Sequence, residues 1–145
     1  MIPQIFKNEN LYDKQIENVS KKFNVPVPLI KAFIAIESGF NPNAYRYEEH
    51  RKDASYGLMQ ILYQTAKGFG FKGLPQDLYN PDVNIYWASQ YIAYLYKRFG
   101  NLPDTFASYN MGLPRPASKT TNIITKIYGK PQPNWKYANQ PYVDK

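Results

Sequence analysis

Glu37 is the carboxylate whose sequence surroundings are least like water. It lies three, four and seven residues after Ile34, Phe33 and Ile30, so at helical spacing it continues an apolar stripe at that helix's C-terminal end. A carboxyl group there is expected to be partly desolvated. Burial and the negative end of the helix dipole both favour its neutral form. Such a group remains protonated near neutral pH and serves as a general acid. The same spacing also fits a helix-end glutamate that reaches solvent or a nearby lysine, and periodicity by itself leaves both readings open. Glu48, Glu49 and Asp53 add further carboxylates in a polar stretch downstream.

Composition confines the chemistry to groups of this kind. The 145 residues include no cysteine and one histidine, His50. That removes thiolate metal sites, iron–sulfur clusters, disulfides and a cysteine nucleophile, and leaves no basis for a His-built metal centre. No metal and no cofactor is expected. The length suits one domain, and 43% hydrophobic with 20% charged residues describes a chain that packs a core. The net charge of +7 favours anionic partners, among which nucleic acid, an anionic membrane surface and bacterial cell wall are alike admissible. Tyrosine is abundant, with 14 residues against 2 tryptophans. Its ring and hydroxyl suit sugar or base surfaces as well as ordinary packing.

The elements that must position Glu37 are helical. Tyr12, Ile16, Val19 and Phe23 form one apolar stripe on a first helix ending near Asn24. Pro28 fits the first turn of a second helix, which carries Leu29 to Glu37 and stops at Gly39. Phe40 to Tyr56 has no sustained period and reads as a long loop or small lobe. Gly57-Leu58-Met59-Gln60-Ile61 is a short apolar segment, with room for a turn and a new helix start by Thr65. Asn80-Pro81-Asp82 caps the longest helix, whose Ile85, Ala88, Ile92, Leu95 and Phe99 repeat through to Gly100. A further helix is expected from about Pro103 to Asn110. Beyond Gly112 prolines punctuate the chain, which is expected to wrap the domain with one short helix around Thr120 to Ile127.

Three ordered motifs carry a resemblance. Glu37-Ser38-Gly39-Phe40-Asn41-Pro42-Asn43-Ala44, then Ser55-Tyr56-Gly57-Leu58-Met59-Gln60-Ile61, then Ala107-Ser108-Tyr109-Asn110-Met111-Gly112 resemble the soluble lytic transglycosylase family of peptidoglycan-cleaving enzymes, related to goose-type lysozyme. Between the second and third, Asn80-Pro81, Asn84-Ile85 and Tyr91 match the family's pattern, so the likeness spans about residues 25 to 112. The resemblance implies an all-α, mainly helical, lysozyme-like single domain over 1–145, with room for a small β element and with 113–145 as a wrapping segment. It implies cleavage of the β-1,4 bond between N-acetylmuramic acid and N-acetylglucosamine, with a 1,6-anhydro-muramoyl product. Glu37 is then the sole acid and base, because the substrate's own C6 hydroxyl is the nucleophile. Ser38, Met59, Gln60, Tyr91, Tyr109 and Asn110 take substrate-binding or supporting places by the same likeness. Gln60 resembles the family's cleft amide, and Tyr109 the tyrosine that holds or polarises the catalytic carboxyl.

Departures from the pattern keep other readings in view. The segment between Ala44 and Ser55 is longer and more charged than the family's usual Ser/Pro/Gly-rich connection. Its Glu48 or Asp53 is a candidate second carboxylate that would position a water, making a hydrolase that leaves a reducing end. A proline usual after the Gly-Leu-Met-Gln segment is replaced within Leu62-Tyr63-Gln64, and Lys119-Thr120-Thr121 stands where many members carry Glu-Thr-Arg. A non-catalytic wall-binding or virion structural module is a further alternative. A nucleic-acid binder lacks the clustered Lys/Arg helix face it needs. The expected partner is peptidoglycan glycan strands, with no nucleic acid, no membrane span and a monomeric protein. The N-terminus carries no evident signal peptide, so a protein acting in the bacterial cell envelope is expected to be phage-encoded, virion-associated or a trimmed secreted protein.

Overall fold

The computed structural model describes residues 8–111, without the side chains of His50 and Met111. The expected wrapping segment, the helix around Thr120 and the Lys119-Thr120-Thr121 departure lie outside the described residues. The chain divides into two compact units, Met1–Ala93 and Tyr94–Lys145, the division falling within the longest helix of the described residues.

The first unit opens with α1 (Asp13–Phe23) and α2 (Val27–Ser38), which pack together. Tyr12, Ile16 and Val19 are buried as the stripe requires, and Asn24 ends α1 in the left-handed conformation that asparagine tolerates. Pro28 occupies the first turn of α2, and Gly39 closes it at φ 61°. Ile30, Phe33 and Ile34 are fully buried, so the face that Glu37 continues is the core face.

Within the expected loop or small lobe over Phe40 to Tyr56, residues Tyr45–Tyr56 form a β-hairpin, the small β element for which the expected fold left room. Strands β1 (Tyr45–Glu48) and β2 (Asp53–Tyr56) pair antiparallel, with Tyr45 opposite Tyr56 and Glu48 opposite Asp53. A 3-10 turn over Glu49–Arg51 joins them, with Lys52 left-handed behind it. A two-residue strand β3 (Ile61–Leu62) adds to β2 and gives the sheet order β1-β2-β3. The first strand escapes sequence reading because three of its residues are exposed and show no apolar alternation. Its strand character comes from pairing with β2. Helix α3 (Tyr63–Gly68) starts directly after the sheet, and a 3-10 turn over Pro75–Tyr79 follows.

Helix α4 (Pro81–Phe99) opens on Asn80, whose side-chain oxygen accepts from the backbone N–H of Asp82 (2.9 Å) and Val83 (3.3 Å). Many of the aromatics serve packing. Phe23, Tyr86, Trp87, Phe71 and Tyr63 form a run of edge-on ring contacts at 5.1–6.4 Å. In the second unit, α5 (Leu102–Met111) begins one residue earlier than the sequence suggests. Asn101 makes the start: its Oδ1 accepts from Asp104 N–H at 2.9 Å, and its amide nitrogen donates to the Asp104 carboxylate at 2.9 Å. Among the described residues no helix is long and apolar enough to cross a membrane.

Candidate active site

Glu37 sits half-buried in the last turn of α2, one residue before the serine that anchors this helix end. The chain leaves α2 through two consecutive left-handed residues, Gly39 and Phe40 (φ 61° and 64°). The Phe40 ring is buried, and that burial offsets the strain of a bulky residue in this conformation. The Ser38 hydroxyl donates to the Leu58 carbonyl at 2.6 Å, a shorter bond than its 3.3 Å approach to Ile34 O in the preceding turn. The carboxylate-bearing helix end is thereby fastened to the Gly57–Gln60 segment.

That segment is a tight turn closed by the Gln60 N–H on Gly57 O at 3.2 Å. Gln60 is left-handed at φ 50°, a strained setting for a long side chain. Its amide nitrogen compensates by donating to Gly57 O (3.0 Å) and to Ala44 O (3.1 Å), the latter also accepting from Gly57 N–H at 2.8 Å. Gln60 thus ties the turn to the root of the hairpin. Among the described residues its side-chain oxygen makes no hydrogen bond, so it is the acceptor this turn still offers. Met59 is fully buried, and Ser89 Oγ approaches its sulfur at 3.9 Å. Met59 therefore supports the turn from within the core.

Sequence reasoning matched Asn84 to the motif pattern but gave it no role. Fully buried on α4, it accepts from Met59 N–H (2.8 Å) and donates to Tyr56 O (2.7 Å) and Leu78 O (2.8 Å). One amide side chain serves three backbone groups from three different segments. The signal was an asparagine four residues before Ala88 and eight before Ile92, on the buried stripe of α4. Gly57 makes the close approach possible: a Cβ there would stand 2.5 Å from the Asn84 amide nitrogen, and its φ is +72°.

The hairpin carboxylates are engaged in holding the hairpin. Glu48 accepts from Ser55 Oγ at 3.3 Å and pairs with Arg51 at 3.3 Å. Asp53 accepts from its neighbour Ala54 N–H (2.8 Å) and from Gln64 N–H (2.9 Å), fastening β2 to the start of α3. Tyr91 is half-buried on α4 with its ring 5.7 Å from that of Phe69. Tyr109 is buried and Asn110 half-buried on α5 of the second unit. Among the described residues no three His, Asp or Glu side chains gather as a metal site would need.

Tyr56 borders the turn, and its hydroxyl ionises with more difficulty than usual. Burial is the main cause, with Tyr45, Tyr79, Asp53 and Tyr63 adding repulsion. Burial does the same to Tyr12. A phenol held neutral in the fold contributes stability that is complete below its unfolded value of 10.0 and is lost as pH rises through the higher folded value. Denaturant unfolding between about pH 9 and about pH 11 should therefore show a fall in stability that Tyr56→Phe makes shallower. Equal falls in the two proteins would refute this.

Similarity to known proteins agrees with this geometry. Over 115 residues the chain is 35% identical to the membrane-bound lytic murein transglycosylase E of Buchnera aphidicola, covering 67% of this chain and 50% of that protein. The 70-kDa soluble lytic transglycosylase of Escherichia coli superposes with a TM-score of 0.61 at 27% identity, over 70% of this chain and 17% of that one. The Slt lytic transglycosylase of Pseudomonas aeruginosa, solved as an inactive mutant with one glutamate replaced by glutamine, superposes at 0.62 and 28% identity over 71% and 17%. The chain thus spans about half the length of the Buchnera relative and a smaller part of the solved proteins. The mainly helical, lysozyme-like fold expected from the motifs is the fold of these neighbours. The family description "Transglycosylase SLT domain" fits residues 14–126, most of the sequence, and the chain belongs to that family.

Proposed function

We propose that this chain is the catalytic domain of a peptidoglycan lytic transglycosylase acting in the bacterial cell envelope, with Glu37 as its one acid and base. The observation that carries the reading is the fastening of the Glu37 helix end to the Gly57–Gln60 turn through Ser38 and Leu58. A carboxyl on the core face of α2 is thereby held beside a turn built to a fixed shape. The names of the relatives, lytic murein transglycosylases, give the substrate class.

In this mechanism the Glu37 carboxylic acid gives its proton to the oxygen bridging N-acetylmuramic acid and N-acetylglucosamine as the C1–O bond breaks. The released N-acetylglucosamine leaves with a hydroxyl at its C4. Positive charge develops at the muramoyl C1, and the C6 hydroxyl oxygen of the same sugar attacks it. Glu37, now a carboxylate, takes the C6 hydroxyl proton and is restored. No water enters the products. Gln60 offers its free side-chain oxygen as an acceptor for substrate, Met59 and Ser38 hold the turn and the helix end in shape, and Tyr91, Tyr109 and Asn110 keep the supporting roles their motifs suggest.

Hydrolysis would require a second carboxylate free to position a water. The hydrogen bond and ion pair that engage the two oxygens of Glu48, and the hydrogen bonds to both oxygens of Asp53, speak against it. Mass spectrometry of a peptidoglycan digest decides the matter. Muropeptides lighter by one water than reducing ones are the expected product, and a digest holding only reducing ends would replace the transglycosylase with a hydrolase.

A further inference from the structure

The β1–β2 hairpin carries a row of tyrosines leading away from the Gly57–Gln60 turn. Tyr45 and Tyr47 alternate with Arg46 on β1, so their side chains share one face of the strand, and they are 54% and 56% exposed. Tyr56, opposite Tyr45 on β2, meets its ring edge-on at 5.4 Å, and Tyr79 meets Tyr56 in the same manner at 5.4 Å. The row is continuous with the proposed site. Ala44, the residue before Tyr45, gives its carbonyl to both Gly57 N–H and the Gln60 amide, and Tyr56 immediately precedes Gly57.

From this continuity we infer that Tyr45 and Tyr47 form a ledge that holds sugar rings of the glycan strand beyond the two that flank the cleaved bond. The inference rests on the transglycosylase reading for its substrate. Tyrosine suits such a ligand because its ring covers the C–H face of a pyranose while its hydroxyl reaches the sugar's own hydroxyls. Exposed aromatic rings are also a standing cost on a surface that binds nothing. The Tyr56 ring, itself against Tyr79, holds the Tyr45 ring before ligand arrives, so little of that ring's freedom is lost on binding. The edge strand itself is short and carries Arg46 and Glu48, which suits a ligand surface better than strand pairing with another chain.

The test compares KM on short and long glycan strands freed of peptide stems. A ledge beyond the cleaved bond favours long strands, and Tyr47→Ala should shrink the long-strand advantage in KM about 5-fold, the scale of one aromatic contact. Tyr45→Ala should do likewise, with Tyr45→Phe restoring most of the advantage. Tyr47 has no ring contact to Tyr56, so its variant reads the ledge even if Tyr45→Ala disturbs the hairpin. An advantage retained in Tyr47→Ala overturns the inference, because a merely structural loss would move both strand lengths alike.

Binding of the Glu37→Gln protein to immobilised peptide-free strands provides the second measurement, independent of turnover. If the unmodified protein cleaves nothing, the transglycosylase reading fails while this binding still judges the ledge. Weaker binding after Tyr47→Ala supports the ledge, and unchanged binding overturns it. An effect confined to strands that carry peptide stems would assign the ledge to peptide and likewise overturn the inference.

Discussion

Glu37→Gln should lower peptidoglycan clearing by about 10³-fold or more, the scale of removing a general acid and base from one reaction. The substitution keeps the size and shape of the side chain and deletes its ionisable proton. The amide neither protonates the bridging oxygen nor recovers the C6 hydroxyl proton, so both halves of the proposed cycle stop together. Such a loss corresponds to about 4 kcal/mol of transition-state stabilisation. Folding should change far less. Glu37 lies half-buried in the last turn of α2 and glutamine keeps its size and shape, so stability is expected to change by no more than about 1 kcal/mol. Turbidity clearing measured beside circular dichroism and thermal melting separates the two effects. Clearing retained in a folded variant would take Glu37 out of the mechanism.

The second large effect falls on the fold beneath the site. Asn84→Ala should cost about 3 kcal/mol, because the Met59 N–H and the Tyr56 and Leu78 carbonyls lose a shared, fully buried partner. Gly57→Ala should cost a similar amount for a different reason. Its φ of +72° is unfavourable for alanine, and the new methyl would stand 2.5 Å from the Asn84 amide nitrogen. The two costs share that contact. In the double variant the methyl no longer meets an amide, so the combined loss should fall short of the sum by about 1 kcal/mol. Urea unfolding of the three proteins measures this, and strict additivity would show that the packing of Asn84 against Gly57 is not what restricts position 57. Activity should fall in both single variants, since the turn they disturb is the one to which Ser38 fastens the Glu37 helix end.

Helices α1, α2 and α4 were legible because their instructions are local. The apolar stripe of Tyr12, Ile16 and Val19, the proline at the first turn of α2 and the asparagine before Pro81 each act within a few residues of chain. Helix α5, expected from about Pro103, runs from Leu102, with the Asn101 side chain capping its start. The hairpin over Tyr45–Tyr56 was not legible as strands. Its first strand is mostly exposed and lacks apolar alternation, and its pairing depends on residues up to eleven positions away.

The site divides along the same line. Periodicity determined that Glu37 continues the apolar stripe of a helix end, while leaving open whether its carboxyl turns to solvent, and the three motifs pointed to the family, because both are written in neighbouring residues. Tertiary structure alone decided that Glu48 and Asp53 hold the hairpin, that Met59 is sealed in the core, and that Asn84 joins α4 to the motif turn across 25 residues of sequence. These depend on which backbone groups are left without partners once distant segments meet. A linear sequence does not display that condition, since hydrogen bonds between remote residues exist only after the chain has closed on itself.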